Sequence, residues 1–134
     1  MTPESHAWAR KANKDFQTAM REMAIPAHGN PEAVCFHAHQ CALRYLRARL
    51  ALSDTPFPET SHIVVLLEMV LELEPEWDEL RDALRVLRNT AMDMESLHVE
   101  PTREVAQQAF DACQAVRKRV RSRLESLSDT EAAV

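Results

Sequence analysis

The chain has 134 residues, one glycine and only 5% aromatic residues, with abundant Ala, Leu, Glu and Arg, a composition that argues against a sheet protein and for a helical one. Its length supports one hydrophobic core and so one domain, residues 1–134, with a core spanning about 4–127 and a frayed tail from Ser128. The formal charge of −5 predicts solubility and excludes a general pull toward nucleic acid or anionic membrane.

Thr2-Pro3-Glu4 opens a first helix that runs to about Ala24, with Trp8, Ala12, Phe16, Ala19 or Met20, and Met23 as its buried stripe. Ile25-Pro26-Ala27-His28-Gly29 breaks it, so that the next helix folds back as an antiparallel hairpin. Asn30-Pro31-Glu32 supplies a capping side chain, a proline tolerated in the first turn and an acid at the positive end of the dipole. No glycine or proline then follows until Pro56. Val34, Ala38, Cys41 and Tyr45 follow helical spacing on one face; Cys35, Ala42, Leu46 and Leu50 do so on the next. This breadth of apolar surface predicts the central helix of the domain. After the loop Ser53–Pro58, Thr60-Ser61-His62 offers a capping hydroxyl to a third helix reaching Leu73. Glu74-Pro75 punctuates, and Glu76-Trp77 begins a fourth helix carrying Leu80, Leu84, Leu87 and Ala91. Pro101-Thr102 starts the last, with a stripe of Val105, Ala109, Cys113, Val116, Val120, Leu124 and Leu127. The fold class is all-α, an up-and-down bundle of about five helices.

The run from Cys35 to Ala48 resembles the second helix of the HEPN family (higher eukaryotes and prokaryotes nucleotide-binding domains), which often reads C-F-x-A-Q-Q-A-A-E-K-x-L-K-A. Cys35, Phe36, Ala38, Gln40, Ala42, Arg44, Leu46, Arg47 and Ala48 match in kind; His39 replaces a usual glutamine and Leu43 a usual glutamate. The first helix, with Trp8, Ala12, Asp15, Phe16 and Ala19, is similar to the family's W-x-x-x-A-x-x-D-L-x-x-A. Thr60-Ser61-His62-Ile63 through Leu67 resembles the T-H-x-L-x-x-L-L start of its third helix. The resemblance covers Ala7 to about Leu124. It implies the bundle fold, a homodimer, and one of three roles: ribonuclease toxin, partner of a nucleotidyltransferase, or inert interaction module. Leu43, in place of a charged residue, would then suit an apolar partner surface.

The ribonuclease branch carries Arg-x(4–6)-His near the end of its fourth helix. There arginine stabilises charge on the phosphate and histidine shuttles the 2′-hydroxyl proton. Arg88-Asn89 stands at that place, but Asp93 occupies the histidine position and His98 follows too late; a carboxylate base would repel the phosphate it must approach. Arg21 and His28 fit the spacing only across the turn after helix one, where the family has no site. The Arg-Tyr-Pro signature of the other branch falls on Glu95-Ser96-Leu97, which lacks both the arginine and the proline. Arg88, Asn89, Asp93 and His98 are thus the catalytic candidates of a diverged chain. His37, Gln40, Arg44 and His62 are the polar candidates for holding a ligand, set against a plainer reading in which His62 caps or packs and Arg44 pairs with a surface acid.

Cys35 with His39 and His37 with Cys41 are i,i+4 pairs, but they point to different sides of one helix and cannot together close a zinc site. No metal and no cofactor is expected. The odd cysteine count, without C-x-x-C, predicts small core residues in a reduced, cytoplasmic protein; no long apolar span predicts a membrane role. Charge is uneven. Leu50 to Leu80 contains no Lys or Arg while eight acids crowd there, and Arg117-Lys118-Arg119, Arg121 and Arg123 form a basic run. Solvated surface accounts for such runs; RNA contact by the basic run is the alternative, without aromatic residues for stacking. Arg81, Arg85 and Arg88, interleaved with Asp78, Glu79 and Asp82, suit i,i+4 ion pairs.

These readings converge on a non-catalytic module that binds a nucleotide, RNA or a nucleotidyltransferase partner, in a context like that of toxin–antitoxin pairs. The alternatives are a metal-independent endoribonuclease toxin and a purely structural dimeric bundle.

Overall fold

The computed structural model describes residues 2–25 and 29–133, with side chains to residue 127. Five α-helices and one 3-10 segment make up the architecture, and no strand occurs among the described residues. Helix α1 spans Pro3–Met23. Thr2 caps it, its hydroxyl oxygen accepting from the Ser5 N–H at 3.0 Å, with Pro3 in the first turn. Helix α2 spans Pro31–Leu52 and is capped by the Asn30 side chain, which accepts from the Ala33 N–H at 3.2 Å. The Asn30 N–H in turn donates to the Glu22 carboxylate at 2.9 Å, tying the second helix's start to the first helix's end. The chain is so tight here that a Cβ on Gly29 would strike the carbonyl oxygens of Glu22 and Ile25; close approach is what requires glycine at this turn.

Thirteen of the 22 residues of α2 are buried, spread around its whole circumference, which makes it the helix the others enclose. It packs most extensively against α1 and then against α5, and also touches α3 and α4. Leu43 is only 2% exposed, within the core of this one chain. The expected apolar partner surface at Leu43 is therefore corrected: the side chain faces neighbouring helices, and burial explains the loss of a charge there.

Helix α3 spans Ile63–Leu71, shorter than the pattern suggested. The Thr60 hydroxyl accepts from the His62 N–H at 3.0 Å, so it fastens the loop, and His62 itself takes the capping position with no side-chain capping bond. The fourth helix also begins later than expected. Pro75–Leu80 is a 3-10 segment, and α4 spans Arg81–Asp93. Side chains three apart eclipse in a 3-10 turn, which lines up Trp77 and Leu80, both buried, on the core side. Helix α5 spans Arg103–Ala133, past Ser128. Its start is capped by the Thr102 hydroxyl, which accepts from the Val105 N–H at 3.2 Å. Ala106 and Phe110 join the expected stripe, and Phe110 stacks on Phe16 with ring centroids 5.5 Å apart.

The two oppositely charged stretches meet each other. Glu74 accepts from Arg49 at 3.2 Å and from Arg123 at 2.7 Å, and Glu79 pairs with Arg119. The ridge on α4 pairs otherwise than expected: Arg81 reaches Asp78 and Glu68, while Glu79 crosses to α5. No helix among the described residues is long and apolar enough to cross a membrane.

Candidate functional site

A cleft of about 520 Å³ lies between the N-terminal half of α2 and the C-terminal half of α4. From α2 it receives Phe36, His37, His39 and Gln40; Phe36 and Gln40 are one turn apart and share a face. From α4 it receives Arg88 and Met92, again one turn apart. Asn30 and Ser61 close its ends, and Glu32 and Glu95 stand at its edge. Phe36 is 50% exposed and Met92 52%, large apolar surfaces open to a ligand.

His39 reaches deepest. It is 7% exposed, and its Nε2 is buried with no hydrogen-bond partner. Burial first, and then the positive charge of Arg88, hold its pKa at about 4, so the ring is neutral at pH 7. An unpaired buried nitrogen carries a penalty of about 1–3 kcal/mol. Beside it stands the Arg88 guanidinium, half-buried, a phosphate-binding group without a carboxylate partner among the described residues.

His37 has a different support. Its Nδ1 lies 2.9 Å from one oxygen of Asp15, whose other oxygen accepts from Arg44 at 2.6 Å. Asp15 comes from α1 and is buried, so its carboxylate orients the imidazole at the cleft wall from behind. The edge of the Phe36 ring rests against His37, with centroids 5.1 Å apart.

Of the four residues expected to hold a ligand, His37 and Gln40 line the cleft. Arg44 does not: it turns to the buried Asp15 and not to a surface acid. His62 does not line it either; its Nδ1 is buried without a partner at the start of α3. Among the catalytic candidates only Arg88 is in the cleft. Asn89 and Asp93 are exposed on other sides of α4, Asp93 being five residues on and hence about 140° around the helix from Arg88. His98 is exposed on the connection to α5. At the place of the absent Arg-Tyr-Pro, Glu95 brings a negative charge to the cleft's edge. Arg21 bonds the Thr18 hydroxyl at 3.4 Å, and His28 lies outside the described residues.

No group of three or more His, Cys, Asp or Glu able to hold a metal occurs among the described residues. Burial, with Glu32 nearby, pushes the Cys35 thiol up to about 11. Burial beside Cys113 raises Cys41 as well, so both remain protonated core groups.

Asp15, His39 and the exposed ring of Phe36 are the features of the cleft and its support that sequence reasoning did not single out. A signal existed for Asp15: it falls on the buried stripe between Ala12 and Ala19, where a charge requires a partner. Phe36 lies off both apolar faces of α2, which marked it as a large ring turned outward.

The family model for the HEPN domain matches residues 5–123. Neither the curated proteins nor the solved structures contain a match to the chain.

Proposed function

The chain belongs to the HEPN domain family, and we propose that it is a non-catalytic module that binds a nucleotide, free or within an RNA strand, in the α2–α4 cleft. The observation that carries this reading is the convergence, in one cleft, of Arg88, the unpaired Nε2 of His39, the Gln40 amide and the exposed Phe36 ring. Arginine suits a phosphate, the polar groups suit a base edge, and the ring supplies a stacking face worth about 1–3 kcal/mol per base. The non-catalytic part rests on residue type and geometry: none of the positions 93 to 95 that Arg-x(4–6)-His allows is a histidine, Asp93 and His98 do not share the cleft with Arg88, and the carboxylate that does, Glu95, would repel the phosphate it must approach.

The test is thermal unfolding with adenosine monophosphate and with a short oligouridine. A ligand at a hundred times its Kd stabilises the folded state by about 2.7 kcal/mol, and Arg88→Ala removes that gain. RNA cutting that disappears in Arg88→Ala would restore the endoribonuclease reading. No shift with either ligand supports the purely structural one.

We also propose a homodimer. Leu97 is 96% exposed and Val99 44%, apolar side chains on the connection between α4 and α5 that a second copy would cover. A nucleotidyltransferase is the other occupant of that surface. Light scattering on purified chain tests this: a dimer that Leu97→Lys converts to monomer supports the homodimer, and a clean monomer at micromolar concentration opposes it. Buried, protonated thiols suit a reducing cytoplasm.

A further inference from the structure

The basic run of α5 divides in two. Arg119 and Arg123 turn to Glu79 and Glu74. Arg117 and Arg121 turn the other way, toward α1, where Arg10 and Lys14 lie one turn apart, and Lys118 stands exposed beside them on α5. Between α1 and α5 runs a groove of about 410 Å³ floored by Tyr45 and lined by Arg10, Lys14 and Arg121, with the Asn13 and Gln17 amides. A second hollow of about 630 Å³ continues it along α5, sharing Arg121 and adding Arg117 and Lys118.

These five cations face two carboxylates. Glu125 stands 4.0 Å from Arg121, and Asp111 accepts from the Gln107 amide at 2.9 Å. No ion pair among the described residues engages Arg10, Lys14, Arg117 or Lys118. Arg117 is held in place beforehand: its guanidinium sits 4.0 Å over the Phe16 ring and donates to Asn13 at 3.1 Å, while its Nε is buried without a partner. A chain of net charge −5 thus concentrates unneutralised cations on one groove.

We propose that the α1–α5 groove is a second binding site, for the phosphate backbone of a single-stranded nucleic acid. It goes beyond the α2–α4 cleft and shares no residue with it. The groove between α1 and α5 and the open surface that continues it along α5 give the backbone of a single strand one path. Tyr45 is buried and no Phe, Trp or further Tyr lines the groove, leaving only the imidazole of His6 at its edge, so it reads chiefly phosphates, without sequence preference.

Fluorescence anisotropy with labelled oligouridine and oligothymidine at low salt tests this. Both strands bind with similar affinity, and log K falls against log salt with a slope of about −2 to −3.5, the value for three to five phosphate contacts on a single strand. The double variant Arg10→Glu, Lys14→Glu weakens binding about tenfold or more. Lys14→Ala with Lys118→Ala, two exposed side chains, weakens it less and keeps the fold. The titrations are run in Arg88→Ala, which disables the cleft, so that strand binding persisting there belongs to the groove and its loss there would overturn this proposal while leaving the cleft reading standing. No anisotropy change at low salt, equal binding by the charge-reversed variant, or competition by polyglutamate as strong as that by the oligonucleotides would each overturn the proposal.

Discussion

Two buried carboxylates, Asp15 and Glu74, are built alike and placed differently. Each bridges two nitrogen-bearing side chains: His37 and Arg44 at Asp15, Arg49 and Arg123 at Glu74. Around Glu74 the structure is closed on the Arg49 side, while its other partner, Arg123, is 41% exposed. The Glu74 side chain is 2% exposed, that of Arg49 5%, and the cluster locks the turn before the 3-10 segment to α2 and α5. Around Asp15 the structure is open on one side, because about 30% of each partner is exposed and His37 lines the cleft. The same electrostatic arrangement therefore serves stability in one place and the aiming of a side chain in the other. A buried ion pair adds little net stability over apolar packing, yet breaking it is costly, so its position says more about its role than its presence does.

The comparison breaks most visibly at Glu74. Glu74→Ala leaves the Arg49 guanidinium buried and uncompensated, and urea unfolding should show a loss of about 3–5 kcal/mol. The variant's ligand affinity, measured where it is still folded, should match that of the parent, since Glu74 does not line the α2–α4 cleft.

A loss of similar size but different origin is expected from pH. His39 has a folded pKa of about 4 against an ordinary value of 6.5. Between these values the unfolded chain takes up a proton that the folded chain refuses. Stability is full above about pH 6.5 and falls as pH drops toward 4, by roughly 3 kcal/mol over the window. His39→Phe should flatten that part of the stability profile, a difference that chemical denaturation at pH 7 and pH 4.5 would measure.

At Asp15 the effect on stability is smaller and the effect on the site larger. Asp15→Asn keeps the shape, weakens the bonds to His37 and Arg44, and should cost about 1–3 kcal/mol because both partners retain access to water. Binding in the cleft should weaken as well, since His37 loses its support. Equal ligand affinity in Asp15→Asn and parent would mean that the two carboxylates have the same, purely structural role. Smallest is Leu97→Ser: exposed and unpacked, it should move stability by no more than about 0.5 kcal/mol while reducing self-association.

Helix positions are legible because apolar spacing over long runs has one solution, and the Phe36–Ala48 pattern by itself points to the family. Boundaries are less so. The start of α4 was misplaced because Pro75 and Glu76 suit a 3-10 turn as well as a helix start, and only the packing of Trp77 and Leu80 decides between them. Leu43 was misread because a change from charged to apolar looks the same in sequence whether the side chain faces a second chain or its own core. The cleft was half legible. His37, Gln40 and Arg88 followed from their polar character on two helices, but that α4 would lay Arg88 beside His39 depends on how those helices approach, which spacing within one helix does not encode. The acidic and basic stretches looked like solvated faces, and Glu74 with Arg123 and Glu79 with Arg119 show that each also neutralises the other across the fold.

The most direct test follows the His39 ring nitrogens by long-range 1H–15N NMR while adenosine monophosphate is added to the chain and to Arg88→Ala. A ligand in the cleft gives the unpaired Nε2 a partner, so that resonance should move on titration while those of His62 and His98 stay, and the movement should vanish in Arg88→Ala. Saturable binding that leaves His39 unmoved, or that moves it equally in Arg88→Ala, would contradict the account.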